Sequence, residues 1–399
     1  MGLNETISAE RLHISFFGMR NAGKSSVVNA VTGQDLAVVS DIKGTTTDPV
    51  KKAMELLPFG PVVITDTPGL DDEGELGELR VKKAKQVFAK TDIAVLVIDA
   101  VKGMSNLDKE LIALFQEKRL PYVIAYNKAD LLTERKILKE NELYISAVTK
   151  ENIKELKEKI GSFAGNVKNE RYVAADLLEP GDLVLLVIPI DEAAPKGRLI
   201  LPQQQTIRDI LDAHCSFIAC QDTELKQTLT MLSKKPKLII TDSQAFEKVA
   251  KDTPDDILLT SFSILFARYK GNLKELVKGA ALLSKLKSGD KILISEGCTH
   301  HRQCNDIGTV KMPGWIEKFS GVKPEYDFTS GGEFPENLSE YKLIVHCGGC
   351  MLNEKEMGHR MEQAALAGVP IVNYGVAIAQ MHGILKRSLE AFPEIWELV

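Results

Sequence analysis

The 399-residue chain has no apolar run long enough to cross a bilayer. Its longest, Leu183 to Ile190, falls far short of the roughly 20 residues that a spanning helix requires. No membrane partner is therefore expected. An early apolar block is missing too. The N-terminus carries Glu5 and Glu10, which argues against a secretory leader. Nor is there a basic excess: 50 Lys and Arg stand against 55 Asp and Glu, a formal charge of −5. A nucleic-acid partner usually needs a basic face, so none is expected. No period of about 20–50 residues repeats, which excludes a solenoid or propeller. Cysteine is absent before Cys215, and four of the six lie at 298, 304, 347 and 350. A chain of this length can bury its cores without covalent staples. In a reducing, cytoplasmic compartment such late clustering points to metal binding or catalysis rather than disulfides.

What is present is a long alternation of strand-like and helix-like segments. Leu12–Phe17, Val62–Asp66, Ile93–Asp99 and Tyr122–Tyr126 are apolar and β-branched, as buried parallel strands are. Between and after them, Lys24–Thr32, Lys109–Lys118 and Asn152–Phe163 have helical spacing. The polar stretch Ala164–Arg171 reads as a linker. A second run has strands at Leu183–Ile188, Ser216–Ala219, Lys237–Thr241 and Ile257–Thr260, with helices near 203–213, 223–233 and 244–251. A third opens with a helix at Leu273–Leu286. Strands follow at Lys291–Ser295, Leu343–His346 and Ile371–Asn373, with helices near 309–319, 354–367 and 375–387. The expectation is an α/β protein of three tandem domains, 1–168, 169–265 and 266–399. The first is a doubly wound α/β domain, and the other two are smaller α/β domains with mainly parallel sheets.

Gly18-Met19-Arg20-Asn21-Ala22-Gly23-Lys24-Ser25 fits GxxxxGK[ST] between a strand and a helix, the context that a phosphate-binding loop requires. Glycines there let backbone N–H groups approach phosphates at a helix N-terminus. Gly18, Asn21, Ala22, Gly23, Lys24, Ser25 and Ser26 are therefore the expected phosphate contacts. Lys24 should reach the β- and γ-phosphates, and Ser25 should ligate Mg²⁺. Asp66-Thr67-Pro68-Gly69 follows a strand, so Asp66 can also hold Mg²⁺ and the Gly69 N–H can face the γ-phosphate. Asn127-Lys128-Ala129-Asp130 follows another strand. The Asp130 carboxylate can accept both N1–H and N2–H of guanine, which adenine does not offer. Ser146-Ala147 stands where it can close around the base. Together these imply a P-loop GTPase fold that binds GTP/GDP and Mg²⁺, with Lys24, Asp66 and Gly69 in the catalytic set.

The order of motifs resembles the TrmE–Era branch of GTPases. That resemblance makes Thr46, in Gly44-Thr45-Thr46-Thr47-Asp48, the threonine that meets Mg²⁺ and the γ-phosphate. Leu70 stands where Ras-like proteins carry the glutamine that orients water, and a leucine does not do this. Asn21 occupies the loop position at which K⁺-dependent relatives carry an asparagine; as a simple turn residue it would need no cation. Slow hydrolysis stimulated by K⁺ is expected, the cation supplying charge that an arginine finger otherwise gives.

Cys298-Thr299-His300 and His346-Cys347-Gly348-Gly349-Cys350 each follow an apolar strand, where ligand sites form in open α/β sheets. The CxxC spacing lets two thiolates reach one metal centre, and Asn353 can cap the next helix with Glu356 three residues on. Three cysteines are one short of the usual Cys₄ cluster set. His300, His346, a carboxylate or an exchangeable ligand could complete it. Structural zinc on a Cys₃His set is the alternative; a redox CxxC would leave Cys298-x-His300 unexplained. Cys304 reads as a spare thiol, and Cys215 and Cys220 as small core residues.

An N-terminal GTPase joined to this CxH…HCxxC pattern resembles the HydF family of [FeFe]-hydrogenase maturation GTPases. The resemblance implies a [4Fe–4S] cluster held by Cys298, Cys347 and Cys350, with a labile fourth site. It implies a middle domain that dimerises the protein, giving a homodimer or higher oligomer. It further implies a scaffold that accepts a transient diiron precursor from radical-SAM maturases and delivers it to apo-hydrogenase, with GTP hydrolysis switching partners. The alternative is a tRNA-modification or ribosome-assembly GTPase with structural zinc. The loop 191–202 could reach a partner or be an ordinary exposed connection.

Overall fold

The computed structural model describes residues 11–33, 50–56, 60–67, 87–167, 171–190, 199–297, 306–349 and 351–398. The chain divides into two units, Met1–Asn169 and Glu170–Val399. The division falls inside the polar stretch read as a linker.

The first unit is built on a six-stranded sheet. Its strands are β1 (Leu12–Phe17), β2 (Val50–Leu56), β3 (Gly60–Asp66), β4 (Ile93–Asp99), β5 (Tyr122–Asn127) and β6 (Glu142–Tyr144), in the order β2-β3-β1-β4-β5-β6. All neighbours are parallel except β2, which pairs antiparallel with β3. Every residue of β4 is buried, as expected of a central strand covered on both faces. On one face Ile14, Phe16, Val95 and Val97 pack with α1 (Lys24–Thr32) and α3 (Ile153–Val167); on the other Phe17, Leu96 and Ile98 meet Phe115 of α2 (Asn106–Glu117). Helix α2 begins three residues earlier than its spacing suggests. Ser105 caps it by accepting from the Asp108 N–H at 3.1 Å, and Asp108 accepts in turn from the Ser105 N–H at 2.9 Å.

The second unit holds two four-stranded parallel sheets. In one, β7 (Leu183–Val187), β8 (Ser216–Cys220), β9 (Leu238–Thr241) and β10 (Leu258–Ser261) run in the order β10-β9-β7-β8. In the other, β11 (Lys291–Glu296), β12 (Glu325–Ser330), β13 (Leu343–His346) and β14 (Ile371–Asn373) run in the order β12-β11-β13-β14. Side chains alternate across β7. Leu185 and Val187 pack against Leu225, Phe246 and Val249, whereas Val184 and Leu186 join a larger core that also contains Ile292, Ile294, Ile344 and Val345 of the other sheet. Cys215 belongs to that core and is 5% exposed. Cys220 is half-buried, and burial raises its thiol pKa.

A helix that the spacing did not suggest, α4 (Phe262–Lys270), contributes Phe262, Ile264, Leu265 and Phe266 to this shared core. It crosses the boundary expected at 265/266. The helix expected over Leu273–Leu286 stops at Ala280. The backbone then tightens into a 3₁₀ turn, Leu283–Lys285, as helix ends often do. Strand β12, also unforeseen, is an edge strand with no apolar run. Among the described residues no helix is long and apolar enough to cross a membrane.

Candidate functional site

In the first unit the expected nucleotide residues that are described lie at or after the C-terminal ends of β1, β3, β5 and β6. The turn after β1 depends on glycine. Gly18 has φ +146°, and a Cβ there would lie 2.2 Å from the Val97 carbonyl oxygen. Gly23, at φ +84°, precedes α1, and a Cβ on it would lie 2.3 Å from Nδ2 of Asn127. Asn21 also has a left-handed backbone, φ 61°, a conformation that asparagine tolerates better than most residues. Lys24 opens α1 and is buried; Ser25 and Ser26 follow, both half-buried.

Ser25 Oγ donates to Asp66 Oδ2 at 2.6 Å. Asp66 is 1% exposed, and among the described residues its Oδ1 has no hydrogen-bond partner. Burial raises its pKa, opposed by the charge of Lys24 and the Ser25 hydrogen bond. A buried carboxylate with one orphaned oxygen beside a hydroxyl is a fitting donor set for Mg²⁺.

Asn127 joins the phosphate loop to the base loop. Its Nδ2 donates to the Ala22 carbonyl at 3.0 Å, and its Oδ1 accepts from the Ala147 N–H at 3.0 Å. Lys128 donates to the Asn21 carbonyl at 2.9 Å and to Asp99 Oδ2 at 2.6 Å. Asp99, at the end of β4, is a support that motif reading passed over. Asp130 sits in the 3₁₀ turn Ala129–Leu131 with its side chain exposed. Ser146 is fully buried, and its Oγ accepts from the Thr149 N–H at 3.1 Å. Thr46 and Gly69 lie outside the described residues, as does Leu70.

In the second unit β11 and β13 are adjacent and parallel, with Ser295 opposite His346. Cys347 comes one residue later, and its N–H donates to the Ser295 carbonyl at 2.9 Å. Its Sγ accepts from the Gly297 N–H at 3.0 Å and the Gly349 N–H at 3.4 Å. Two backbone donors turned onto one sulfur stabilise a thiolate, the form that ligates metal. The Cys347 sulfur is therefore suited to ligate a metal or cluster. Gly297 also makes room: a Cβ there would lie 2.6 Å from Leu352. Cys298, His300, Cys304 and Cys350 lie outside the described residues. Among the described residues no group of three or more His, Cys, Asp or Glu assembles.

Three buried groups that the motif did not reveal, Glu296, Lys270 and Arg360, lie close to the Cys347 loop, with the half-buried Tyr374. Glu296, 5% exposed, accepts from the Tyr374 hydroxyl at 3.3 Å. Burial, with the charges of Glu296 and Cys347, pushes the Tyr374 pKa far up. Lys270, 4% exposed, donates to the carbonyls of Gly349 and Leu352 at 3.3 and 3.1 Å. Arg360, 2% exposed, donates to Nε2 of His346. His346 itself is fully buried, and burial followed by the Arg360 charge lowers its pKa to about 3. Asn353 caps the helix α5 (Glu354–Leu366), accepting from the Glu356 N–H at 3.0 Å. A cavity of about 670 Å³ in this unit is lined by Lys270, Asn272, Lys278, Glu362 and Ile371, among others.

The parallel sheet, the glycine-dependent phosphate loop and the Asn127–Asp130 turn define a P-loop GTPase domain. Accordingly, residues 13–128 match the family model of the 50S ribosome-binding GTPase. Residues 173–271 match the hydrogen maturase F dimerization domain, and residues 274–391 the hydrogen maturase F tetramerization domain. The latter two together span more than half of the 399 residues, and the chain belongs to the hydrogen maturase F (HydF) family. It is also similar to the tRNA modification GTPase MnmE of Clostridioides difficile, 36% identical over 41% of this chain and 37% of that one. It is 38% identical to the GTPase Der of Maridesulfovibrio salexigens, over 34% of this chain and 31% of that one. The chain thus spans about a third of the length of these curated relatives. Among solved structures, a probable GTP-binding protein engB aligns at 24% identity over 39% of this chain and 99% of its own, with a TM-score of 0.31.

Proposed function

We propose that the chain is a GTP-hydrolysing scaffold of [FeFe]-hydrogenase maturation that holds a [4Fe–4S] cluster on Cys298, Cys347 and Cys350. The observation that carries this reading is the Cys347 sulfur, met by two backbone N–H groups where two parallel strands end. When bound, the cluster supplies an iron whose fourth site can exchange ligands, which suits a carrier of a diiron precursor. In the described surroundings Glu296 is the buried carboxylate near that site, so a weak oxygen ligand can complete the set. His346 has both ring nitrogens engaged and acts as a support. The precursor comes from radical-SAM maturases and leaves to apo-hydrogenase.

In the first unit Ser25, Asp66 and Thr46 hold Mg²⁺, Lys24 and the backbone of residues 18–25 hold the phosphates, and Gly69 faces the γ-phosphate. Asn127, Lys128, Asp130, Ser146 and Ala147 recognise guanine. Hydrolysis switches partner binding and makes no bond at the cluster. Asn21 helps to hold K⁺, so phosphate release should be slow and faster in K⁺ than in Na⁺; equal rates would refute the cation role. Residues 169–265 dimerise the chain and 266–399 carry the cluster and extend the oligomer. The protein works in the cytoplasm.

The test is anaerobic purification, reconstitution with iron and sulfide, and metal analysis. A brown protein with an EPR signal on reduction, lost in Cys347→Ser, supports the reading. Stoichiometric zinc that iron does not replace overturns it.

A further inference from the structure

Arg360 is among the largest fully buried side chains described, and its guanidinium has a defined set of neighbours. Nη2 donates to the Gly331 carbonyl at 2.7 Å and to Glu356 Oε1 at 3.1 Å. Nη1 donates to Ser295 Oγ at 3.3 Å and lies 3.1 Å from Nε2 of His346. The Phe334 ring stacks against the guanidinium, 5.1 Å from its centroid. Arginine stays protonated and offers only donors. The imidazole nitrogen that faces it must therefore present a lone pair. That leaves the proton on Nδ1, which lies 2.7 Å from the Cys347 carbonyl oxygen and donates to it. A metal binds a histidine through the lone pair of a neutral nitrogen, and here that lone pair is already taken.

We propose that Arg360 is a positioning residue for the Cys347 loop: by occupying the lone pair of His346 Nε2, it locks the ring as a donor to the Cys347 carbonyl and withholds it from iron. The sequence pattern, with a histidine immediately before the CxxC, suggests a ligand. The buried arginine, fourteen residues on, converts that histidine into a backbone clamp and leaves the fourth iron site to a weaker or exchangeable group. The iron part of this inference rests on the [4Fe–4S] reading above; the clamp does not.

The experiment has two readouts on the full chain. In the metal-free protein, ¹⁵N-histidine NMR reports the tautomer of His346, assigned by its loss in His346→Gln. A single Nδ1–H form is expected in the wild type, a mixture in Arg360→Met, and a return toward one form in Arg360→Lys. In the reduced, reconstituted protein, electron spin echo modulation reports iron-bound nitrogen. The wild type should lack a coupling assignable to His346, and Arg360→Met should acquire one that the added His346→Gln removes. An Nε2–H tautomer in the wild type overturns the clamp, as does an Arg360→Met spectrum unchanged in both readouts. A wild-type iron–nitrogen coupling lost in His346→Gln overturns the withholding, and this comparison decides the point even if Arg360→Met does not fold. If the chain takes up no iron, the cluster reading fails, while the tautomer measurement still decides the clamp.

Discussion

The phosphate loop and the Cys347 loop both follow parallel strands of their sheets. They are held in different ways. The phosphate loop is shaped by backbone sterics: Gly18 passes against the Val97 carbonyl, Gly23 against the Asn127 amide, and the side chains of Asn127 and Lys128 tie loop to loop. The Cys347 loop is held from behind by buried cations, Lys270 on the Gly349 and Leu352 carbonyls and Arg360 through His346. The first site resists any side chain added at its glycines. The second depends on side chains drawn from distant parts of its own unit. A loop shaped by sterics suits a ligand that comes and goes without altering it. A loop held by desolvated charges is sensitive to what those charges touch.

The comparison can be broken in three ways. The largest effect is expected from Lys24→Ala, which should lower GTP hydrolysis by roughly a hundred- to a thousandfold, the usual loss when a preorganised charge-stabilising group is removed. Phosphate release measures it, and iron content should stay at the wild-type level; loss of both would mean that the two sites are not separable. Next, Gly18→Ala sets a Cβ against the Val97 carbonyl in a backbone conformation that L-residues rarely adopt. A cost of about 1–3 kcal/mol and weakened nucleotide binding should follow, read by thermal melting and fluorescent-nucleotide titration. The smallest effect is Lys270→Met. Removing the donor takes the lysine from the Leu352 carbonyl and leaves the Gly349 carbonyl with the Leu352 N–H, at about 1–2 kcal/mol of stability. Cluster retention during gel filtration should fall while GTP hydrolysis is unchanged. If cluster retention matches the wild type, the loop is not held by this cation.

Much of the architecture was legible because buried parallel strands are continuous apolar runs. Ile93–Asp99 and Leu343–His346 were read with the bounds that the structure has. Edge elements were harder. Strand β2, Val50–Leu56, pairs with one neighbour only, and β12 carries Glu325, Asp327 and Thr329 in its ladder. Neither has the apolar continuity that marks a covered strand. Helix α4 went unread for the opposite reason. Its Phe262, Ile264, Leu265 and Phe266 are buried in a core shared by two sheets, so it lacks the polar face that gives a helix its period.

The two sites divide in the same way. Local chemistry determined the phosphate loop: a motif of eight residues specifies positive-φ glycines, a lysine at the helix start and a serine beside a strand-end aspartate. The order of the motifs, with the late cysteines, also carried the family. Only the tertiary structure decided what His346 does. A histidine beside a cysteine is equally suited to bind metal or to hold backbone. The choice falls to Arg360, brought within 3.1 Å of it in a buried space where an arginine stays charged and can only donate.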